Sequence, residues 1–154
     1  MDNENKLAII FIGIPASGKS TFYKQNLKDK FVHINLDTLN TRNKEMVLLN
    51  KCLAESKSLV VDNTNPTKED RKRYIPIAKA AGYRVEGYFF QSVLKDCIRR
   101  NSDRKGKAKI PDIAVASISN KLELPEKSEG FDELYFISIE NKSFKKELWK
   151  DEKF

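Results

Sequence analysis

The chain has 154 residues, 40% of them hydrophobic and 33% charged, with a formal net charge of +7 at pH 7. That length and balance suit one compact domain with a real core; they exclude a disordered chain, and no apolar run approaches membrane-spanning length. The excess of 29 Lys and Arg over 22 Asp and Glu suits an anionic partner such as nucleic acid, although a lysine-rich surface also serves solubility alone.

The opening residues 1–6 lack the basic start of a secretory signal, so a cytoplasmic, reducing location is expected. Cys52 and Cys97 are then expected as buried thiols, too few for a disulfide frame. Leu7–Ile12 is an Ile-rich run of strand length, as a strand buried on both faces should be. Gly13, Ile14, Pro15, Ala16, Ser17, Gly18, Lys19, Ser20 and Thr21 follow it and match the phosphate-binding pattern G-x-x-x-x-G-K-[ST] in full. Residues 20–30 then read as a helix. A glycine turn between strand and helix leaves backbone N–H groups aimed at one point, where a polyphosphate accepts their hydrogen bonds. Lys19 supplies charge for the outer phosphates and the Ser20 hydroxyl can ligate Mg²⁺, so ATP with Mg²⁺ is the expected cofactor pair.

Residues 31–34 read as a second strand, with His33 in a packing role and Asp37 at its carboxyl end. There Asp37 is placed to act as a base, or to cap the helix expected over 38–56. Residues 58–62 form another apolar strand ending in Asp62, which suits the magnesium's water shell and equally a turn. Asn63 and Thr64 continue that turn beside the acceptor side. Thr67 to Asp70 carries a helix-capping pattern, and the helix from there to Ala81 should kink at Pro76 and close at Gly82. Residues 83–90 form a further strand, and a helix from Ser92 turns Val93, Leu94, Cys97 and Ile98 toward the core. It runs into a basic stretch in which Lys95 to Lys109 hold seven basic residues against two acids. Arg100 and Arg104 lie one helical turn apart, which suits a lid over about 99–110 that closes on the triphosphate. A solvated basic face is the plainer alternative. Residues 112–122 form another helix, 134–139 the last strand, and the tail 141–154 an amphipathic helix. Strands alternating with helices imply an α/β, three-layer fold: a mostly parallel five-stranded sheet flanked by helices, as one domain over 1–154. Ligands then bind outside the carboxyl ends of the strands, where the loop, Asp37 and Asp62 meet.

With these residues in view the chain resembles the kinase domain of the polynucleotide 5′-hydroxyl kinases, phage-type and animal-type, from about Leu7 to Ile139. The loop is shared by many kinases. More specific are His33-Ile-Asn-Leu-Asp-Thr-Leu39, Val61-Asp-Asn-Thr-Asn-Pro66, Arg71-Lys-Arg-Tyr74, Ala78-Lys-Ala-Ala-Gly82 and Arg100-Asn-Ser-Asp-Arg104, with Pro111-Asp112 and Glu129-Gly-Phe131 further on. The resemblance implies a P-loop kinase fold, ATP as donor and the 5′ ends of DNA or RNA as acceptor. It implies Asp37 as general base, Arg100 and Arg104 as lid arginines, and Arg71 and Arg73 as basic residues on the acceptor side. Leu36 stands where the family usually has Arg just before the catalytic Asp, and Asn40 where the phage-type enzymes carry an Arg that grips the acceptor's 3′-phosphate. No acidic D-x-D-G-T block of the family's fused phosphatase is present, so a partner enzyme for 3′-end processing or ligation is expected. A kinase for a small molecule, a nucleoside or an aminoacyl carrier is the alternative, and a nucleotide-binding module without turnover is a third reading.

Overall fold

The computed structural model describes residues 6–106 and 109–150. Three expectations fall partly outside that range: the leader reading at 1–5, residues 107–108 of the basic stretch, and 151–154 of the tail.

Strand β1 (Leu7–Ile12) is buried along nearly its whole length, as its unbroken apolar run requires. It lies inside a sheet ordered β2 (Val32–Ile34), β3 (Leu59–Val61), β1, β4 (Arg84–Phe90), β5 (Glu133–Glu140) and β6 (Ser143–Leu148). Neighbours pair in parallel from β2 through β5, with Ile10 beside Val61 and Gly87. Alternate residues of β1 feed opposite faces. Ala8, Ile10 and Ile12 pack with Leu49 and Cys52 of α3 (Arg42–Ala54) and with Ile75 and Ala78 of α5 (Ile75–Ala80). Ile9 and Phe11 pack with Phe22 and Tyr23 of α1 (Lys19–Asn26). Helices therefore cover both faces, the three-layer α/β arrangement expected. A smaller apolar cluster of Ile14, Ala16, Cys97 and Val115 joins the loop after β1 to α6 (Leu94–Ser102) and α7 (Asp112–Lys121).

The sheet has a sixth strand where five were expected. The tail's expected helix is β6, antiparallel to β5, with Ile139 opposite Phe144. Phe144 and Leu148 are spaced for a helical turn, but a strand lets Phe144 reach Phe22, with ring centroids 5.2 Å apart, and pairs the edge of β5. The connecting turn needs two left-handed residues, Asn141 at φ 53° and Lys142 at φ 67°, a conformation that Asn-Lys advertises far less than Asn-Gly.

Two expected helices are each divided. The one over 38–56 is α2 (Leu36–Leu39) and α3, separated by Asn40 at φ 73° and capped individually by Asn35 and Thr41. The one expected to kink at Pro76 is α4 (Lys68–Arg71) and α5, with Pro76 in the first turn of α5, where its missing N–H leaves nothing unpaired. The Thr67–Asp70 capping box and Gly82 at φ 86° are as expected. Val93 is 42% exposed and precedes α6, while Leu94, Cys97 and Ile98 turn inward beside Ile14, Ala16 and Val115.

Candidate active site

The loop from Gly13 to Lys19 leaves β1 beside β4 and enters α1. A Cβ on Gly13 would stand 2.7 Å from Ser17 Oγ and 3.1 Å from Phe90 Cβ, so a larger residue would push both neighbours aside. Gly18 takes φ 102° and begins α1, whose first turn carries no acid. That helix end keeps its N–H groups available to an anion. Ala16, at φ 67°, is held in an unfavourable left-handed conformation by a hydrogen bond from Arg100 Nε to its carbonyl, 2.8 Å. Ser92 Oγ accepts from Ile14 N at 3.1 Å, and Thr64 O accepts from Gly13 N at 3.0 Å. Three segments thus hold the loop's shape.

Lys19 is buried, and its Nζ donates to Gly13 O and Ile14 O, each at 2.9 Å. Burial pushes its ammonium down to about 8; the carboxylates of Asp62 and Asp37 oppose that shift and the charge of Arg104 adds to it. Bound phosphates would raise it again, so the complex holds more protons than the apoprotein above pH 8. Triphosphate binding should therefore take up a proton in that range, and affinity should weaken as pH rises through it. Calorimetry in buffers of differing ionisation enthalpy reads the proton directly; an affinity flat from about pH 7 to about pH 9.5 would contradict this.

Asp62, at the end of β3, is buried and collects three contacts. Its Oδ2 accepts from Ser20 Oγ and from His33 Nε2, both at 2.7 Å, and its carbonyl accepts from Asn35 Nδ2 at 2.6 Å. His33 also stacks on Tyr23, with centroids 4.1 Å apart. Its role is thus more than packing, because it orients the acid of the site. Only the pairing of β2 with β3, His33 beside Val60, brings the two together. Ser20 Oγ and Asp62 Oδ2 fit Mg²⁺, which takes hard oxygen donors and keeps most of its waters. Among the described residues no group of three His, Cys, Asp or Glu forms a dedicated metal cage.

Asp37 is exposed in the first turn of α2, not at a strand end, and it caps neither helix, since Asn35 and Thr41 do so. Asn63 lies behind it. Its Oδ1 accepts from Leu36 N at 2.9 Å, while its Nδ2 donates to Glu45 Oε2 at 2.6 Å. The side chain of Asn63 is thus occupied in shaping the turn, and Thr64 contributes its carbonyl to the loop.

The two arginines expected beside each other on the acceptor side have different fates. Arg71 is 0% exposed, with Nε and Nη2 on the two oxygens of Glu129 at 2.8 and 3.1 Å and Nη1 on Asn65 O at 2.9 Å. It cannot touch an acceptor. Arg71→Lys should cost about 2 kcal/mol of stability, because an ammonium cannot reproduce the fork, without altering the salt dependence of any activity. Urea denaturation checks the first statement and salt-series kinetics the second. Arg73 is half-buried, and its Nη1 is buried with no hydrogen-bond partner among the described residues.

In the basic stretch, α6 ends at Ser102 and Asp103 forms its cap. Buried Asn101 fastens the far end of the segment by donating to Ile110 O at 2.6 Å and accepting from Ile110 N at 3.1 Å. Arg104 thus lies in a segment tethered at both ends, with its charge felt at Lys19. Beside the loop, a cavity of about 240 Å³ opens between α6 and the β5–β6 turn, lined by Ser17, Val93, Arg99, Arg100, Ile139 and Lys142 among others. A larger groove of about 820 Å³, at Leu124, Leu134, Leu148 and Trp149, lies at the amino end of β5, away from the phosphate loop. Among the described residues no helix is long and apolar enough to cross a membrane.

A family model described as AAA domain matches residues 9–125. Over 134 residues the chain is 31% identical to the bifunctional polynucleotide phosphatase/kinase of Schizosaccharomyces pombe, covering 84% of this chain and 33% of that protein. A relative from Acanthamoeba polyphaga mimivirus, with the same two activities in its name, is 33% identical over 141 residues, covering 87% of this chain and 34% of that one. The chain spans about a third of the length of these relatives. Chaetomium thermophilum Kti12, in complex with ADP-AlF3, matches at TM-score 0.66 and 15% identity, covering 85% of this chain and 88% of that one. At that identity the likeness is one of fold, and the fold is the P-loop kinase fold.

Proposed function

The chain belongs to the AAA domain family, and from that premise we propose that it is an ATP-dependent kinase acting on the 5′-hydroxyl end of DNA or RNA. The observation that carries the reading is the junction of the phosphate loop with the acids that follow β2 and β3. Buried Lys19 Nζ lies on Gly13 O and Ile14 O, each at 2.9 Å, Ser20 Oγ meets Asp62 Oδ2 at 2.7 Å, and Asp37 stands exposed in the first turn of α2. A nucleotide-binding module would need the loop but has no use for an acid on the acceptor side.

In this reading the loop N–H groups and Lys19 hold the β- and γ-phosphates, and the base and ribose lie toward the 240 Å³ cavity beside Arg99 and Arg100. Mg²⁺, held by Ser20 with Asp62 on its water shell, would neutralise charge on the phosphate oxygens. Asp37 orients the acceptor hydroxyl and receives its proton as the new P–O bond forms and the bond to the bridging oxygen of ADP breaks. Arg104, on a lid over 99–110, meets the charge that develops on the transferring group. Arg100 supports it indirectly, through the shape of the loop at Ala16. Arg73 stays on the acceptor side of this proposal; Arg71 does not.

One further element follows from the relatives. Their names pair the kinase with a phosphatase, so a partner enzyme for 3′-end processing or ligation belongs to the proposal. The second reading, a small alcohol or nucleoside as acceptor, is favoured by the withdrawal of Arg71 into the core. The two part on salt. Transfer from γ-labelled ATP to a 5′-hydroxyl oligonucleotide should lose kcat/KM steeply as salt rises, while a nucleoside acceptor should show little slope. Equal use of the nucleoside, or no transfer to any oligonucleotide, would overturn the polynucleotide reading.

A further inference from the structure

Arg71 and Arg42, like Arg84 with Glu86, pair with carboxylates that are largely buried, and the two differ in what the pairing leaves over. Arg71 is consumed: both oxygens of Glu129 and a backbone carbonyl occupy all three of its nitrogens inside the core. Arg42 is not. Its Nη1 alone serves Glu45 Oε1 at 2.9 Å and Tyr74 OH at 2.8 Å, and the side chain is 48% exposed while that of Glu45 is wholly buried. No described contact engages its Nε/Nη2 edge, the planar fork that matches two oxygens of a phosphate.

The place of Arg42 matters as much as its chemistry. Tyr74 OH, which Arg42 contacts, also accepts from Asn63 Nδ2 at 3.2 Å and donates to Glu45 Oε2 at 3.0 Å. Asn63 in turn accepts from Leu36 N, the residue before Asp37. The guanidinium is therefore joined through two side chains to the turn that carries Asp37. The left-handed residue Asn40 turns the chain between α2 and α3, and Arg42 is the first residue of α3. Within residues 36–42, Leu36, Thr38, Leu39, Asn40 and Thr41 are neutral and Asp37 is acidic, so Arg42 is the cation that this segment offers an approaching anion. Because Glu45 and Tyr74 already restrain it, it loses little freedom on binding.

We propose that Arg42 binds the acceptor, its Nε/Nη2 edge taking the phosphodiester that follows the 5′-terminal nucleoside. This rests on the 5′-hydroxyl kinase reading and gives it an address for the acceptor strand. The acceptor class becomes a 5′-hydroxyl nucleotide chain with at least one phosphodiester, in preference to a bare nucleoside.

The test compares a 5′-hydroxyl dinucleotide with its matching nucleoside across a salt series, in the parent protein, Arg42→Gln and Arg42→Lys. Gln retains an N–H donor for Glu45 and removes the charge; Lys retains the charge and loses the fork. Arg42→Gln should raise KM for the dinucleotide about tenfold or more and reduce the salt slope of its log kcat/KM by about one. The nucleoside reaction should lose about tenfold less than the dinucleotide reaction and the KM for ATP should stay within about twofold, while Arg42→Lys should recover the slope and only part of the affinity. An unchanged slope in Arg42→Gln, equal losses on both acceptors, or a Lys variant identical to Gln would overturn the assignment while leaving the kinase reading intact. A parent protein that phosphorylates no dinucleotide or longer chain would overturn both.

Discussion

Lys19→Ala should leave the protein folded and lower phosphoryl transfer by on the order of 10³-fold or more. The partners of its ammonium are the loop's own carbonyls, Gly13 O and Ile14 O, so its removal takes no contact from the sheet or from the helices. Between its depressed value of about 8 and its ordinary one, the unfolded chain binds more protons than the folded one, so stability rises with pH across that window in the parent. The variant should lose that rise, since the buried cation behind it is gone. In the proposed transfer the same buried ammonium would meet charge on the moving phosphoryl group, where a fixed charge removed from water acts strongly. Single-turnover transfer at saturating ATP reads the loss, and a thermal melt over about pH 7 to 10 reads the fold. Near-parental turnover would remove the loop from the chemistry.

Asp37→Asn should lower kcat by about 10²–10⁴-fold while ATP binds as before. The substitution is nearly isosteric at an exposed position, and the turn that carries it is held by other residues, through Leu36 N to Asn63 and Asn35 to Asp62 O. The folding cost should not exceed about 1 kcal/mol, the worth of an acid in the first turn of a helix. A large kinetic loss therefore cannot come from unfolding. An amide still accepts a hydrogen bond from the acceptor hydroxyl but takes its proton poorly, so KM for the acceptor should move less than kcat. A protein that only binds nucleotide would lose nothing by this change. Unaltered turnover would assign the proton to another group.

Much of the site was legible because its signals are local. An apolar run followed by two glycines, a lysine and a serine is complete within Leu7–Ser20, and the structure adds only what surrounds it. The capping box from Thr67 to Asp70 and the left-handed Gly82 are likewise decided by neighbours in sequence. Strand burial could be read wherever both faces were apolar, as in β1 and β3. The tail's strand is not legible in the tail itself, because Phe144 and Leu148 fit a helical turn and the case for a strand lies elsewhere, in the edge of β5 and the ring of Phe22.

By itself, then, the sequence determined that this chain has a phosphate loop between a buried strand and a helix, with acids following the next two strands, because backbone geometry and hydrophobic period act over a few residues. Tertiary structure alone decided which charged side chains are enclosed and which stay exposed. Arg71 and Arg42 look equally available in the sequence. Arg71 is enclosed because Glu129, 58 positions later, meets it bidentately in the core, whereas Arg42 stays half exposed and meets the buried Glu45 with one nitrogen. His33 became a partner of Asp62 only when β2 was laid beside β3. Whether a charge is consumed inside the fold or presented to a ligand depends on partners distant in the chain, and burial makes that choice strongly, since an unpaired charge in the core is too costly to keep.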